Sequence, residues 1–361
     1  MSMTLDEFDL LFPKLRDGGV DSETYQRLSG TALEVPGAAR LATLDPFSPA
    51  YKAAAMKLYY ELRGDAERGY LPTRDENSGV GSPANVWTDL PPWSFRDPKF
   101  AAEFFYSWGH ILSLLDLPAN STARVLEYGP GAGQILLFLA RMGIRAFGVD
   151  VDPAYVALIR RQAAAMDLPV EMEEGTFGEG FDGQVFDRIL FYEAFHHAAD
   201  FLQLLTRLRQ RLAPGGRLLL IGEPVVGHAI PVVPFPWGPR LDALSVFCIR
   251  HHGWLELGFT QPFLLEALQR SGYRVSVHHF TGCGRADAYV AEPAEDVGEI
   301  RRSTFGAPVE APTALQAERD ALQRQASELM AQRDALLRST SWRITWPLRA
   351  AVSWYRRHSP R

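Results

Sequence analysis

Three glycines stand at alternate positions, Gly129, Gly131 and Gly133, between an apolar run (Ala123 to Tyr128) and an apolar helical pattern that begins at Ile135. A strand, a glycine turn and a helix in that order can cradle a nucleotide. Glycine lets the backbone approach a ligand, and the first turn of a helix offers free N–H groups. An ordinary tight turn in an α/β domain would use the same glycines, so the acids around them matter. Glu127 leads the turn, and Asp150 closes the next apolar run, Ile144 to Val149. An acid at the end of a second strand can accept hydrogen bonds from two ribose hydroxyls. The spacing departs from the dinucleotide fingerprint G-x-G-x-x-G. The third glycine comes one residue early, and Gln134 stands where that motif has glycine or alanine. Histidine is the side chain best suited to move a proton near neutral pH. His196 and His197 are candidate bases, with His228, His251 and His252 as rivals. Glu193 and Glu223 are candidates to bind a metal or orient a sugar hydroxyl. No His, Asp or Glu spacing specifies a metal, and none is expected.

Glu127-x-Gly129-x-Gly131-x-Gly133, with Asp150 after the second strand, resembles the class I S-adenosylmethionine-dependent methyltransferases. Later pieces follow in the family's order. Phe186 to Tyr192 resembles the fourth strand, Phe195-His196-His197-Ala198-Ala199-Asp200 the segment after it, and Leu212 to Leu220 the turn and fifth strand. The likeness runs from Ala123 to about Glu292. It implies an α/β fold with a Rossmann-like seven-stranded sheet and S-adenosyl-L-methionine as cofactor. It implies that Glu127, Gly129, Gly131, Gly133, Asp150 and Val151 hold that cofactor, with Thr176, Phe177 and Tyr192. Many family members have an acid at the position of Thr176, so the adenine contacts depart from the pattern here. The resemblance also puts His196 and His197 at the mouth of the cofactor site. One of them can serve as the catalytic base; in many members such a pair only packs or positions the cofactor.

Other elements must position these residues. Residues 1–118 are expected to form a helical collar or lid, with helices over Ser48–Leu62 and Asp97–Leu117 and an aromatic, Gly/Pro-rich stretch between Tyr70 and Trp93. Residues 119–292 are the expected methyltransferase domain. Within it, 224–259 reads as an inserted substrate cap, or an oligomer contact, that supplies Arg240 and Trp254 to the acceptor. Thr260 can cap the helix to Ser271, and two closely spaced strands, Tyr273–Phe280 and Ala286–Ala291, end the domain. The polar stretch 293–312 reads as a linker. Residues 313–361 are expected to be helical. Leu315, Leu322, Leu329 and Leu336 recur every seven residues, but only one of two seam positions is apolar, so coiled-coil pairing is not specified.

The chain has 361 residues, a formal net charge of −6 and two cysteines. This balance gives no nucleic-acid footprint, and the two cysteines suit a reducing cytoplasm. The N-terminus lacks the apolar core of a signal peptide, and no window reaches the roughly 18 apolar residues of a membrane span. Arginines and aromatics interleave in the tail from Ser341, as in helices that lie on a membrane surface. The tail resembles those of bacterial glycosyltransferases and other surface-polysaccharide proteins. The expected activity is therefore O-methylation of a saccharide, or lipid-linked saccharide, in surface-glycan assembly. The expected place is the cytoplasm, peripheral on the inner membrane, with self-association or a glycosyltransferase partner through 313–340. Methylation of another small-molecule or lipid acceptor, or a non-catalytic scaffold, are the alternatives.

Overall fold

The computed structural model describes residues 2–306, except residues 19, 66, 78–87 and 89. The expected helix over 313–340, the arginine-rich tail, the end of the expected linker and part of the Tyr70–Trp93 stretch lie outside the described residues. Among the described residues no helix is long and apolar enough to cross a membrane.

The main sheet has eight strands: β1 (Arg124–Tyr128), β2 (Arg145–Asp150), β3 (Val170–Glu174), β4 (Phe186–Tyr192), β5 (Leu212–Ile221), β6 (Tyr273–Phe280), β7 (Ala288–Pro293) and β8 (Arg301–Phe305). Their order is β8-β6-β7-β5-β4-β1-β2-β3. Strands β1 to β5 pair in parallel, and β7 runs antiparallel to both β5 and β6. Parallel strands are covered on both faces, which is why β1 and β4 read as nearly continuous apolar runs. The order reverses between β1 and β4, and ligands of open α/β sheets sit at that reversal, beyond the strands' C-terminal ends.

Eight strands replace the seven expected. The extra one, β8, lies inside the stretch 293–312 read as a linker and pairs in parallel with β6. All five of its residues are exposed, so it carries no apolar pattern to betray it. It is held by ladder hydrogen bonds and by local contacts such as Arg302 Nη1 to Gln261 Oε1 at 2.8 Å.

Helices follow the strands as the pattern requires. Residues 134–141, 153–165, 201–211 and 261–270 are helical. Asp152 caps the second of these by accepting from Ala154 N at 2.8 Å. The expected cap from Thr260 is not made. Its hydroxyl instead donates to Pro236 O at 3.3 Å, tying the helix start to the insertion.

Besides one short helical turn at Pro72–Asp75, the described N-terminal residues form two helices without a sequence expectation, α1 (Leu5–Gly18) and α2 (Ser22–Ser29), and the two expected, α3 (Pro49–Arg63) and α4 (Pro98–Leu115). Asp97 caps α4 through Lys99 N and Phe100 N, with Pro98 in its first turn. The insertion is itself folded. Val225–Val226, Leu257–Thr260 and Trp237–Pro239 form a small sheet, and Ala243–His251 a helix. Insertion and collar share one core. Buried Tyr51 donates to Trp237 O at 2.7 Å, and buried Tyr59 donates to Gly253 O. The collar and the insertion thus form a single roof over the C-terminal edge of the sheet.

Candidate active site

The three turn glycines all have positive φ, between 52° and 81°, and each meets a different demand. A Cβ on Gly129 would lie 2.9 Å from Ala194 Cβ, and one on Gly133 would lie 2.6 Å from Ile159 Cγ1. Those two glycines let the turn pack against the segment after β4 and against the helix after β2. A Cβ on Gly131 would meet nothing within 4 Å, so this glycine faces free space at the sheet edge. Its backbone is the part open to a ligand.

The acids around the turn are buried, and Glu127 is under-satisfied. Glu127 is 2% exposed, and its Oε2 has no hydrogen-bond partner. Burial, and then the neighbouring Asp150, push its carboxyl up to about 8. Burial pushes Asp150 up to about 7 although Asp152 N donates to it at 2.9 Å. Beside Asp150 lies a cavity of about 230 Å³ lined by Val151, Thr176, Phe177, Ala198 and His197, among others. It is largely apolar and open at the side, as an adenine base requires. Thr176 N donates to Glu179 Oε2 at 3.0 Å and its carbonyl accepts from Glu179 N at 3.0 Å, so Glu179 closes this turn beside the cavity. Tyr192 stands apart from the other expected cofactor residues. Its ring packs with the core on the α4 side of the sheet, and it lines neither this cavity nor the next.

The second cavity, about 730 Å³, lies under the roof. Its floor is the sheet edge, with Glu193, Glu223 and Arg285. Its walls come from the N-terminal region (Tyr25, Phe95, Phe100, Phe104) and from the insertion (Arg240, Trp254, Glu256). His197 lines both cavities, and His196 lines the larger.

Turn Phe195–His197 places the two histidines, and Glu223 builds that turn. One of its oxygens accepts from Ala194 N (3.1 Å) and Phe195 N (2.9 Å). The other accepts from His196 N (3.0 Å) and bonds His196 Nδ1 (2.8 Å). A carboxylate so engaged is not free to orient an acceptor hydroxyl, which corrects its expected substrate role. Burial pushes Glu223 up to about 7, against the pull of those N–H groups. Burial drives the His196 imidazolium well below its ordinary value. With Nδ1 donating to Glu223, Nε2 of His196 carries the lone pair, 3.6 Å from Glu256 Oε2.

His197 is held differently. Its Nδ1 lies 3.1 Å from Glu76 Oε2. Burial opposes its charge, but Glu76 outweighs burial and raises it to about 9. Glu76 also accepts from Leu255 N (2.8 Å) and from Tyr70 OH (2.7 Å). One carboxylate from the N-terminal region thereby ties the insertion to the histidine turn.

The remaining expected substrate residues are paired. Glu193, at φ 51°, meets Arg285, and Arg240 meets Glu256. Burial works against the charge of Glu256, yet Arg240 and the histidines hold it down at about 2. Trp254 stacks on His252, with ring centroids 4.2 Å apart, and its Nε1 is buried without a partner. The rival bases lie elsewhere: His252 is under Trp254, His251 stacks on Phe247, and His228 sits on an exposed loop. Glu76, Glu256, Arg285 and Tyr25 had no sequence expectation. The available signal was the few charges, Arg240, Asp242 and Glu256, in an otherwise mostly apolar stretch, because charges in such stretches are buried only when paired.

Residues 126–220 match the family profile described as a methyltransferase domain. The chain is 33% identical over 174 residues to an S-adenosyl-L-methionine-dependent Diels-Alderase of Talaromyces variabilis, covering 46% of this chain and 56% of that protein. It is 31% identical over 124 residues to a ubiquinone biosynthesis O-methyltransferase of Azorhizobium caulinodans, covering 32% and 49%. The CcbJ methyltransferase of Streptomyces caelestis superposes with a TM-score of 0.43 at 17% identity, over 61% of this chain and 99% of that one. The chain spans about half the length of the curated relatives it matches. The profile match and the two curated relatives support S-adenosylmethionine as the cofactor of this domain. The residues fit it: an orphaned acid oxygen on Glu127, free space over Gly131, a buried acceptor at Asp150 and an apolar slot beyond Val151.

Cofactor affinity should depend on pH through these acids. Asp150 accepts ribose hydroxyls as a carboxylate, and burial raises it to about 7 in the free chain. Binding then favours the ionised form, so affinity rises with pH. Between pH 6 and pH 8 the dissociation constant should fall roughly tenfold. The stability of the free chain runs the other way. A carboxyl raised on folding keeps its proton where the unfolded chain has lost it, so stability falls as pH rises from about 4 through 7 to 8. Thermal shift with saturating cofactor should therefore be larger at pH 8 than at pH 6. Equal shifts would mean that Asp150 is not the ribose acceptor.

Proposed function

We propose that this chain is a methyltransferase that O-methylates a saccharide hydroxyl seated in the larger cavity. The observation that carries this reading is the junction of the two cavities at His197. The cofactor supplies a methyl group already activated on a sulfonium. The chain's task is to align the acceptor oxygen with it, exclude water and take the proton. The new bond joins oxygen to the methyl carbon. As the carbon–sulfur bond breaks, its electron pair returns to sulfur, and the hydroxyl proton passes to His196 Nε2. Trp254 and Phe100 offer faces for a sugar ring, and the unpartnered Trp254 Nε1 and the charged pairs offer partners for hydroxyls. The expected setting in surface-glycan assembly rests on the tail, outside the described residues.

A second reading is O-methylation of a phenolic or quinol-like ring. The aromatic wall of Tyr25, Phe95, Phe100 and Phe104 and the ubiquinone-pathway relative favour it. The test uses methyl-labelled S-adenosylmethionine with the full chain, offered lipid-linked oligosaccharides, nucleotide sugars and catechols. Label recovered as an alkali-stable sugar methyl ether is the expected result. Label only on the catechol transfers the assignment to the second reading. Cofactor binding with no methyl transfer to any oxygen would remove both.

A further inference from the structure

The geometry points to a transition-metal site formed by His196, His197 and Glu256. One possible ligand atom from each lies within 4.8 Å of the others, although the residues come from the turn after β4 and from the insertion. Proximity alone would not make a site; the surroundings of the histidines do. The Nδ1 of His196 is hydrogen-bonded to buried Glu223 at 2.8 Å, and that of His197 lies 3.1 Å from Glu76 as an ion pair without hydrogen-bond geometry. A histidine that ligates through Nε2 characteristically gives its other ring nitrogen to a carboxylate, which fixes the ring and makes the ligand more basic. Here His196 does so and His197 has a carboxylate within reach, and His196 Nε2 lies 3.6 Å from Glu256 Oε2, a separation that suits two ligands sharing one ion better than a hydrogen bond.

Charge points the same way. Ligating imidazoles are neutral. Glu76, Glu223 and Glu256 surround the two rings with carboxylates, and Arg240 is shared between Glu256 and Asp242, so acids outnumber the cation at the cluster. Arg240 need not leave: it serves as the outer partner that orients the Glu256 carboxylate.

Two imidazoles and one carboxylate suit zinc, cobalt(II) or iron(II) better than magnesium or calcium, which prefer oxygen. Three protein ligands leave a position open, and the site opens into the larger cavity, so an acceptor oxygen can complete the shell. Ion binding stands on geometry alone; with an ion bound, His196 Nε2 is a ligand rather than the proton acceptor, the ion would lower the acceptor hydroxyl's pKa and its proton would leave to water, a use that rests on the methyl-transfer reading above.

The experiment titrates Zn2+, and in parallel Co2+, into chelator-treated full-length protein by calorimetry and visible absorption. One equivalent should bind, with ligand-field bands from Co2+. His197→Gln and Glu256→Gln should each weaken binding at least a hundredfold, and Glu76→Gln, which touches no ion, ten- to a hundredfold. Thermal unfolding is measured on every variant as the test of folding, because His197 and Glu76 line the cofactor cavity. Should Glu256→Gln fail it, the Glu76→Gln comparison decides. Absence of binding by the wild-type chain, or binding that survives His197→Gln and Glu76→Gln, overturns the site. Failure of the wild type to bind S-adenosylhomocysteine would strike the methyltransferase reading instead, and the two failures are read separately.

Discussion

Asp150→Ala should lower cofactor affinity roughly a hundredfold while the fold stays intact. Two ribose hydroxyls lose a charged acceptor, and each such hydrogen bond contributes about 1.5–3 kcal/mol. The free chain loses little, because burial already raises this carboxyl to about 7 and its removal relieves an unfavourable ionisation. It gives up the 2.9 Å bond from Asp152 N and backbone N–H contacts from Gly131 and Val151, on a chain segment that the adjoining strand and helix hold in place. Gly131→Ala should behave similarly for a steric reason. Its added Cβ meets nothing within 4 Å in the free chain but stands where the cofactor approaches. Its φ of 52° costs about 1 kcal/mol of strain. Gly133→Ala is the contrast: its Cβ would lie 2.6 Å from Ile159 Cγ1, so stability suffers first. Calorimetry and thermal unfolding on the three variants separate these outcomes. Unchanged affinity in both Asp150→Ala and Gly131→Ala would sink the assignment of the turn.

Glu223→Ala should be among the most destabilising substitutions in the chain. It strands three backbone N–H groups and the Nδ1 of His196, all buried. An unsatisfied buried donor costs about 1–3 kcal/mol, so the loss is about 3 kcal/mol or more. At roughly 2–4 °C per kcal/mol for a domain of this size, Tm falls by roughly 6 °C or more. Were Glu223 instead a free acceptor-binding group, the variant would keep its Tm and lose only turnover.

That contrast shows which parts of the site could be read from sequence. The glycine turn was legible because its demands are local: positive φ at Gly129, Gly131 and Gly133, and an acid at the end of the neighbouring strand. Glu223 was legible as a residue at the sheet edge but not in its role. Its partners belong to the turn after β4, and only the adjacency of β4 and β5 brings the two together. Glu76 gave no signal, because its three partners, His197, Leu255 and Tyr70, come from different parts of the chain. The small sheet within 224–259 was hidden by its short strands, and β8 by its exposure. The collar was read as helical, but its union with the insertion depends on two tyrosines, Tyr51 and Tyr59, donating to distant carbonyls.

The most direct test of the account is a crystal structure of the full chain with S-adenosylhomocysteine. The account places the adenine in the 230 Å³ cavity between Val151 and Phe177, the ribose hydroxyls on Asp150, and the sulfur beside His197 facing the 730 Å³ cavity. A nucleoside bound away from Asp150, or a sulfur turned away from the larger cavity, would contradict it.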